Sequence, residues 1–261
     1  APTTAAGASN FLPYGYVGIW AAIPYAIWFF LAVEGVPLAA EETKNPQRDM
    51  PRGLIGAMLI LAAFAGLILL VGPGGAGSST LVESGNPLVE ALTTAYGSSS
   101  WMSGFVNLVG LAGLIASFFS IIYAYSRQIF ALSRAGYLPR KLSLTNKNKA
   151  PVMALVIPGI IGFLLSLTGQ GDLLILVAVF GATISYVLMM ASHIVLRMRR
   201  PDLPRPYKTP GGVLTSGVAL VLACIAVVAG FLVDPRVVIA AAVIYGIFIA
   251  YFALYSRHHL V

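Results

Sequence analysis

The chain has 261 residues, of which 58% are hydrophobic and only 10% charged, with a formal net charge of +7 and a mean hydropathy of +0.87. A soluble domain carries roughly a quarter charged residues, and its apolar residues come in short amphipathic patterns, so this composition excludes one. The single cysteine, Cys224, rules out an intrachain disulfide and sits in an apolar run without a metal motif.

The first thirteen residues, APTTAAGASNFLP, are uncharged and read as an outer loop or tail. They begin with Ala1 and show no basic stretch before a short apolar core. No signal peptide is expected, and the sequence reads as part of a longer chain. A membrane span needs roughly 20 mostly apolar residues to cross ~30 Å of hydrocarbon. Seven stretches qualify or come close: Tyr14 to Ala40, Gly53 to Gly72, Met102 to Leu132, Pro151 to Thr168, Leu173 to Leu196, Val213 to Val233 and Val237 to Tyr255. The expected class is an all-α polytopic membrane protein with seven transmembrane helices.

Span one reads YGYVGIWAAIPYAIWFFLAVEGVPLAAEE and carries Glu34 about twenty residues in. A carboxylate at membrane depth costs at least ~2.5 kcal/mol and normally faces a cavity. Gly35 loosens the backbone, and Pro37 removes one donor while fixing φ for a new helix start. Together they predict a helix broken near Glu34. Such breaks at membrane depth line cavities and mark substrate sites in secondary transporters. Free carbonyls at a helix end, beside a carboxylate, suit a cation such as a protonated amine. The alternative is that Glu34 satisfies backbone donors freed by the kink. Trp28, Phe29 and Phe30 lie within two turns of the break, where an aromatic face can pack over an ammonium group. Phe30 is the preferred gate residue and Trp28 a second, although plain packing also accounts for such rings.

The run after span one, TKNPQRDMPR, follows Glu41 and Glu42 and reads as a helix end and a turn. After span two, GPGGAGSS is a flexible loop. Asn86-Pro87 then starts a short helix, with Leu88, Ala91, Leu92 and Ala95 at helical spacing. Its acids, Glu83 and Glu90, are either plain surface charges or a cation-attracting vestibule. Span three places Asn107, Gly110, Gly113, Ser117, Ser120 and Ala124 on one side of a helix that ends near Arg127. That face suits close helix packing. It equally suits a cavity wall to which Ser117 and Ser120 contribute. Asp172 is expected to cap span five, and His193 to have an interfacial role.

The basic residues fix the orientation. Three follow span one, six lie at and beyond the end of span three, five follow span five and one follows span seven. Of the 16, only Arg236 falls on the other side. The N-terminus is therefore expected outside and the C-terminus in the cytoplasm. The positive charge marks a membrane face, without a nucleic-acid partner. No H-E-x-x-H, G-x-S-x-G, P-loop or Rossmann pattern is present, so no enzyme active site and no cofactor are expected. A sensor or scaffold would carry an added cytoplasmic domain, of which the sequence shows none.

Two segments resemble a known family. FFLAVEGVPLAAEETKNPQRDMPR is similar to helix six and the following loop of the amino acid–polyamine–organocation transporters. GLIASFFSIIYAYSRQIFALSRAGYLPR is similar to their helix eight and its exit. The wording FFLAVEG with YSRQIFALSRAGYLP resembles the bacterial ethanolamine permeases within that family.

The resemblance implies an inverted-repeat fold of about twelve helices, of which the seven spans are helices six to twelve. Residues 1–13 would then be an outer tail or loop. Residues 14–200 would be the second repeat, with a broken first helix, and 201–261 two peripheral helices. It further implies a permease in the cytoplasmic membrane, taking up ethanolamine or another small amine by proton symport. An amino-acid permease is the alternative. Missing helices one and three would supply the rest of a site that includes Phe30, Ala32, Glu34, Gly35, Ser117 and Ser120. One departure bears on the break. The family's amino-acid transporters usually carry glycine where this chain has Ala32, which shifts the expected break and the carbonyls facing the substrate.

Overall fold

A computed structural model of the chain describes residues 15–31, 33–77, 80–81, 84–98 and 100–260. Among them there is no strand. Eight α-helices follow in order: α1 Gly15–Trp28, α2 Pro46–Ala76, α3 Pro87–Tyr96, α4 Trp101–Arg134, α5 Val152–Ser166, α6 Gly171–Arg199, α7 Gly212–Val233 and α8 Pro235–Leu254. A 3-10 helix, Val33–Glu42, lies between α1 and α2.

Among the described residues, six segments are long and apolar enough to cross a membrane: Gly15–Ala40, Pro46–Gly74, Trp101–Arg134, Gly171–Arg199, Gly212–Val233 and Pro235–His258. The expected seventh span is α5, a 15-residue helix. At 1.5 Å per residue it reaches only about 22 Å, short of the hydrocarbon thickness. Its length is limited by Pro151 at the start and by Gly169, at φ +68°, just past the end.

The buried cluster lies where α6, α7 and α8 meet. Leu176, Phe180, Val237 and Ala241 form its centre, flanked by Ile184, Val227 and Val233. Phe180 meets Phe231 edge to face, with ring centroids 4.8 Å apart. A Cβ on Gly230 would come within 3.2 Å of the Phe180 ring, so α7 approaches α6 through a glycine. His193 Nδ1 and Ser216 Oγ, 2.8 Å apart, join the same two helices. α7 also runs along α1, and α8 packs on both α6 and α7. Residues 201–261, expected at the edge, thus carry part of the buried centre of the described chain.

Asp172 is not the cap of α6. Gln170 occupies that position, and Asp172 sits in the first turn, where its charge still complements the helix dipole. The Asn86-Pro87 start of α3 is as expected, but the Asn86 side chain donates to Asn107 Oδ1 of α4 at 3.2 Å instead of capping. Leu88, Ala91, Leu92 and Ala95 of α3 face the C-terminal end of α2 across a shared apolar cleft. Glu83 lies outside the described residues.

A compact chain of 27.5 kDa exposes about 11,000 Å²; this one exposes 18,332 Å². The excess is apolar and concentrated on α4, where residues 107–121 are exposed on every face. A Cβ added at Gly110 or Gly113 would meet nothing within 4 Å. The middle of the small-residue face, at Gly110 and Gly113, therefore meets no other helix among the described residues.

Candidate substrate site at the broken span

The α-helical bonding of span one stops at Trp28. Its last carbonyls lose their i+4 donors, and two of them, Ile27 and Trp28, accept instead from Phe30 N–H at 2.9 Å and Leu31 N–H at 3.3 Å. The chain turns through Phe29–Leu31 and resumes as the 3-10 helix at Val33. The break is thus real but centred ahead of Glu34, with Glu34, Gly35 and Pro37 inside the 3-10 segment. Tighter i+3 bonding accommodates Pro37 there, since the proline forfeits a single donor. Ala32, where the family resemblance locates its departure, lies outside the described residues.

The 3-10 helix packs against both α2 and α4. Gly35 brings it close to α4: a Cβ there would lie 3.5 Å from Ala124 Cβ, in ordinary contact. Beside that contact is a cleft of about 430 Å³ lined by Gly35, Val36, Phe119, Ser120, Tyr123 and Ala124. The Ser120 hydroxyl donates to the Ala116 carbonyl at 3.0 Å. Its proton is committed to its own helix, while its oxygen remains able to accept.

Glu34 is half-buried, and its Oε2 accepts a 3.0 Å hydrogen bond from the Tyr186 hydroxyl of α6. Tyr186 was not among the residues singled out from sequence. A signal for it exists, because transmembrane tyrosines concentrate at membrane interfaces whereas Tyr186 lies mid-helix, one turn from buried Thr183.

The structure brings Gly35 and Ser120 into one cleft; Glu34, next to Gly35 in the chain, does not line it, and its carboxylate accepts from Tyr186 of α6. Ser117, one turn nearer the start of α4, is exposed and does not line that cleft; neither do Trp28 and Phe30. Trp28 is 42% exposed and Phe30 half-buried. Among the described residues no group of three His, Cys, Asp or Glu side chains could hold a metal ion. The site offers a carboxylate, hydroxyl oxygens and rings, a set suited to an ammonium group and poorly suited to an anion.

A family model described as amino acid permease matches residues 2–254. The branched-chain amino acid permease BcaP of Bacillus subtilis (strain 168) is 30% identical over 80% of this chain and 45% of its own length. The methylthioribose transporter of the same organism is 27% identical over 77% of this chain and 43% of its own. The D-serine/D-alanine/glycine transporter of Escherichia coli (strain K12) is 26% identical over 81% of this chain and 47% of its own. The chain spans about half the length of the curated relatives it matches.

Proposed function

The chain belongs to the amino acid permease family, a multi-pass membrane transporter by that membership, and from this premise we propose that it forms the second repeat of a secondary transporter for a small protonated amine. The observation that carries the reading is the half-buried Glu34 at the break of span one, next in the chain to Gly35, which lines a cleft with room for a small molecule. Glu34 is the partner of the ammonium group. Phe30 is the gate with Trp28 behind it, carbonyls between Ala32 and Gly35 add acceptors, and Ser120 and Ser117 belong to the facing wall.

Ethanolamine is the substrate favoured by the FFLAVEG and YSRQIFALSRAGYLP segments. A second reading, an amino-acid permease, has the names of BcaP and the D-serine/D-alanine/glycine transporter in its favour. A substrate carboxylate would need donors, most simply a helix N-terminus supplied by helices that precede this chain in the whole permease. The coupling ion is a proton. The protein lies in the cytoplasmic membrane with its basic loops inside. In this topology α5 crosses as the seventh span, because Lys147 and Lys149 before it and Arg197 and Arg199 after α6 then share the inner side.

Uptake of labelled ethanolamine by the full-length protein in energised vesicles tests the proposal. Competition by excess ethanolamine but not alanine is expected, with loss of uptake when the proton gradient is collapsed. Competition by alanine with no ethanolamine uptake would select the amino-acid reading, and uptake of neither would overturn both.

A further inference from the structure

We propose that Arg127, Glu42 and Tyr123 form a latch that closes the inner side of the substrate cleft and must open in each transport cycle. The proposal rests on the transport reading above and on its orientation.

Arg127 and Tyr123 are one turn apart on α4, and the guanidinium lies 4.4 Å from the centroid of the Tyr123 ring. That contact aims the guanidinium across the seam toward the end of the 3-10 helix. There it engages two groups. Nη2 pairs with Glu42 Oε1, and Nη1 donates to the Leu38 carbonyl at 3.3 Å. The Tyr123 hydroxyl donates to the same Glu42 oxygen at 3.0 Å. A cation at the C-terminal end of this helix also complements its dipole. Thr43 closes the end by donating its hydroxyl to the Ala39 carbonyl at 3.0 Å.

The placement is what makes this a gate. The cleft beside Glu34 lies between the 3-10 helix and α4 at Gly35 and Ala124. The three-residue clamp lies on the same two elements: Tyr123 also lines the cleft, Arg127 is one turn past Ala124 toward the basic side, and Glu42 is about two 3-10 turns past Gly35. A substrate leaving the cleft between these elements has to part that seam. Beyond the clamp a second cleft, of about 860 Å³, begins at Pro37 and Leu38 and is lined by Arg127, Arg134 and Lys149. The Arg127 side chain is 33% exposed and that of Glu42 58%. Water therefore reaches both groups and can solvate each when they part. A fully buried pair would resist opening strongly, whereas a partly hydrated one closes the seam reversibly.

The test measures opening directly. In the full-length protein, Val36→Cys in a Cys224→Ala background places one thiol on the cleft wall. A membrane-impermeant thiol reagent is then applied to inside-out and right-side-out vesicles. Arg127→Gln and Glu42→Gln should each raise the inner-side labelling rate by about threefold, the scale of one partly exposed ion pair. The double variant should exceed neither single, because both remove one contact. Exchange of the charges, Arg127→Glu with Glu42→Arg, should return the rate toward its starting value. A merely structural pair would change thermal stability without this rescue or any sidedness. Should Arg127→Gln insert poorly, Glu42→Gln alone gives the same reading from the more exposed partner. Unchanged inner-side labelling in properly inserted variants, or an equal rise from both sides, overturns the latch. Labelling requires no substrate, so a protein that transports no amine yet opens on the inner side fails the transport reading alone.

Discussion

The hydroxyl of Tyr186 donates a 3.0 Å hydrogen bond to Oε2 of Glu34, joining α6 to the head of the 3-10 helix across 152 residues of chain. It is a side-chain link between the 3-10 half of span one and the helices that form the buried centre. The bond occupies one lone pair of one carboxylate oxygen. Among the described residues this is the one hydrogen bond to the carboxylate, so the proposed ammonium group would approach in a direction that Tyr186 restricts.

Tyr186→Phe removes that oxygen while leaving the ring that packs in α6. A hydrogen bond to a charged group contributes about 1.5–3 kcal/mol, and part of that shows here as loss of orientation. The expected result is an apparent KM for the amine raised by about fivefold, with maximal uptake nearly unchanged, since RT ln 5 is about 1 kcal/mol. Concentration-dependent uptake checks it. An unaltered KM would mean that Glu34 needs no positioning from α6.

Glu34→Gln nearly preserves shape and removes the charge. Uptake normalised to protein in the membrane should fall at least about tenfold, equivalent to ~1.4 kcal/mol. Insertion should survive, because a neutral amide costs less than a carboxylate at membrane depth. Near-normal uptake would leave Glu34 as a group that steadies the break through Tyr186.

The spans and their break were legible because both are local. Long apolar runs mark the helices, and Glu34, Gly35 and Pro37 within one such run announce a discontinuity. Its position was less so. The sequence points to Gly35 and Pro37, yet the α-helical bonding fails earlier, at Phe29–Leu31, since a 3-10 turn absorbs Pro37 at the loss of one donor. Tyr186 stands out in sequence only as a mid-helix tyrosine, and its pairing with Glu34, like that of Arg127 with Glu42, depends on how distant segments meet, which neither spacing nor hydropathy reveals. The face from Gly110 to Ser117 was readable as a surface but not by occupant, because no described residue of this chain covers it.

Gly136→Ala tests the end of the chain. Gly136 has φ +86°, and a Cβ there would collide with the His259 carbonyl. The same junction holds the buried Ser256 hydroxyl, which donates to the Tyr137 carbonyl at 2.7 Å, and the stacked rings of Tyr137 and Phe252. Left-handed backbone at a non-glycine residue costs on the order of 1–3 kcal/mol before the collision is added. The C-terminal segment from Ser256 should detach and become cleavable by protease, with uptake largely retained. A C-terminus as resistant as that of the parent protein would contradict the packing seen here.

The final prediction separates two serines that sequence alone treats alike. Ser117 and Ser120 share the small-residue face of α4, but only Ser120 lines the cleft with Gly35 and Val36. Removing the Ser120 hydroxyl should matter little by itself, because its proton already goes to the Ala116 carbonyl. Ser120→Ala should therefore change the apparent KM by no more than about threefold, within the range of one neutral hydrogen bond. Filling the space is different. Ser120→Leu projects a branched side chain toward Gly35, where the two elements are already in contact, and occupies volume the amine requires. Uptake should drop at least about tenfold while α4 still inserts, since leucine favours the membrane interior. Ser117 is exposed among the described residues, so the effect of Ser117→Leu reports on what lies beyond them. A strong loss there, with Ser120→Leu benign, would move the substrate path outward along α4, away from Glu34. Loss confined to Ser120→Leu would keep the path beside the broken segment, where substrate protection of a Val36→Cys thiol gives an independent check.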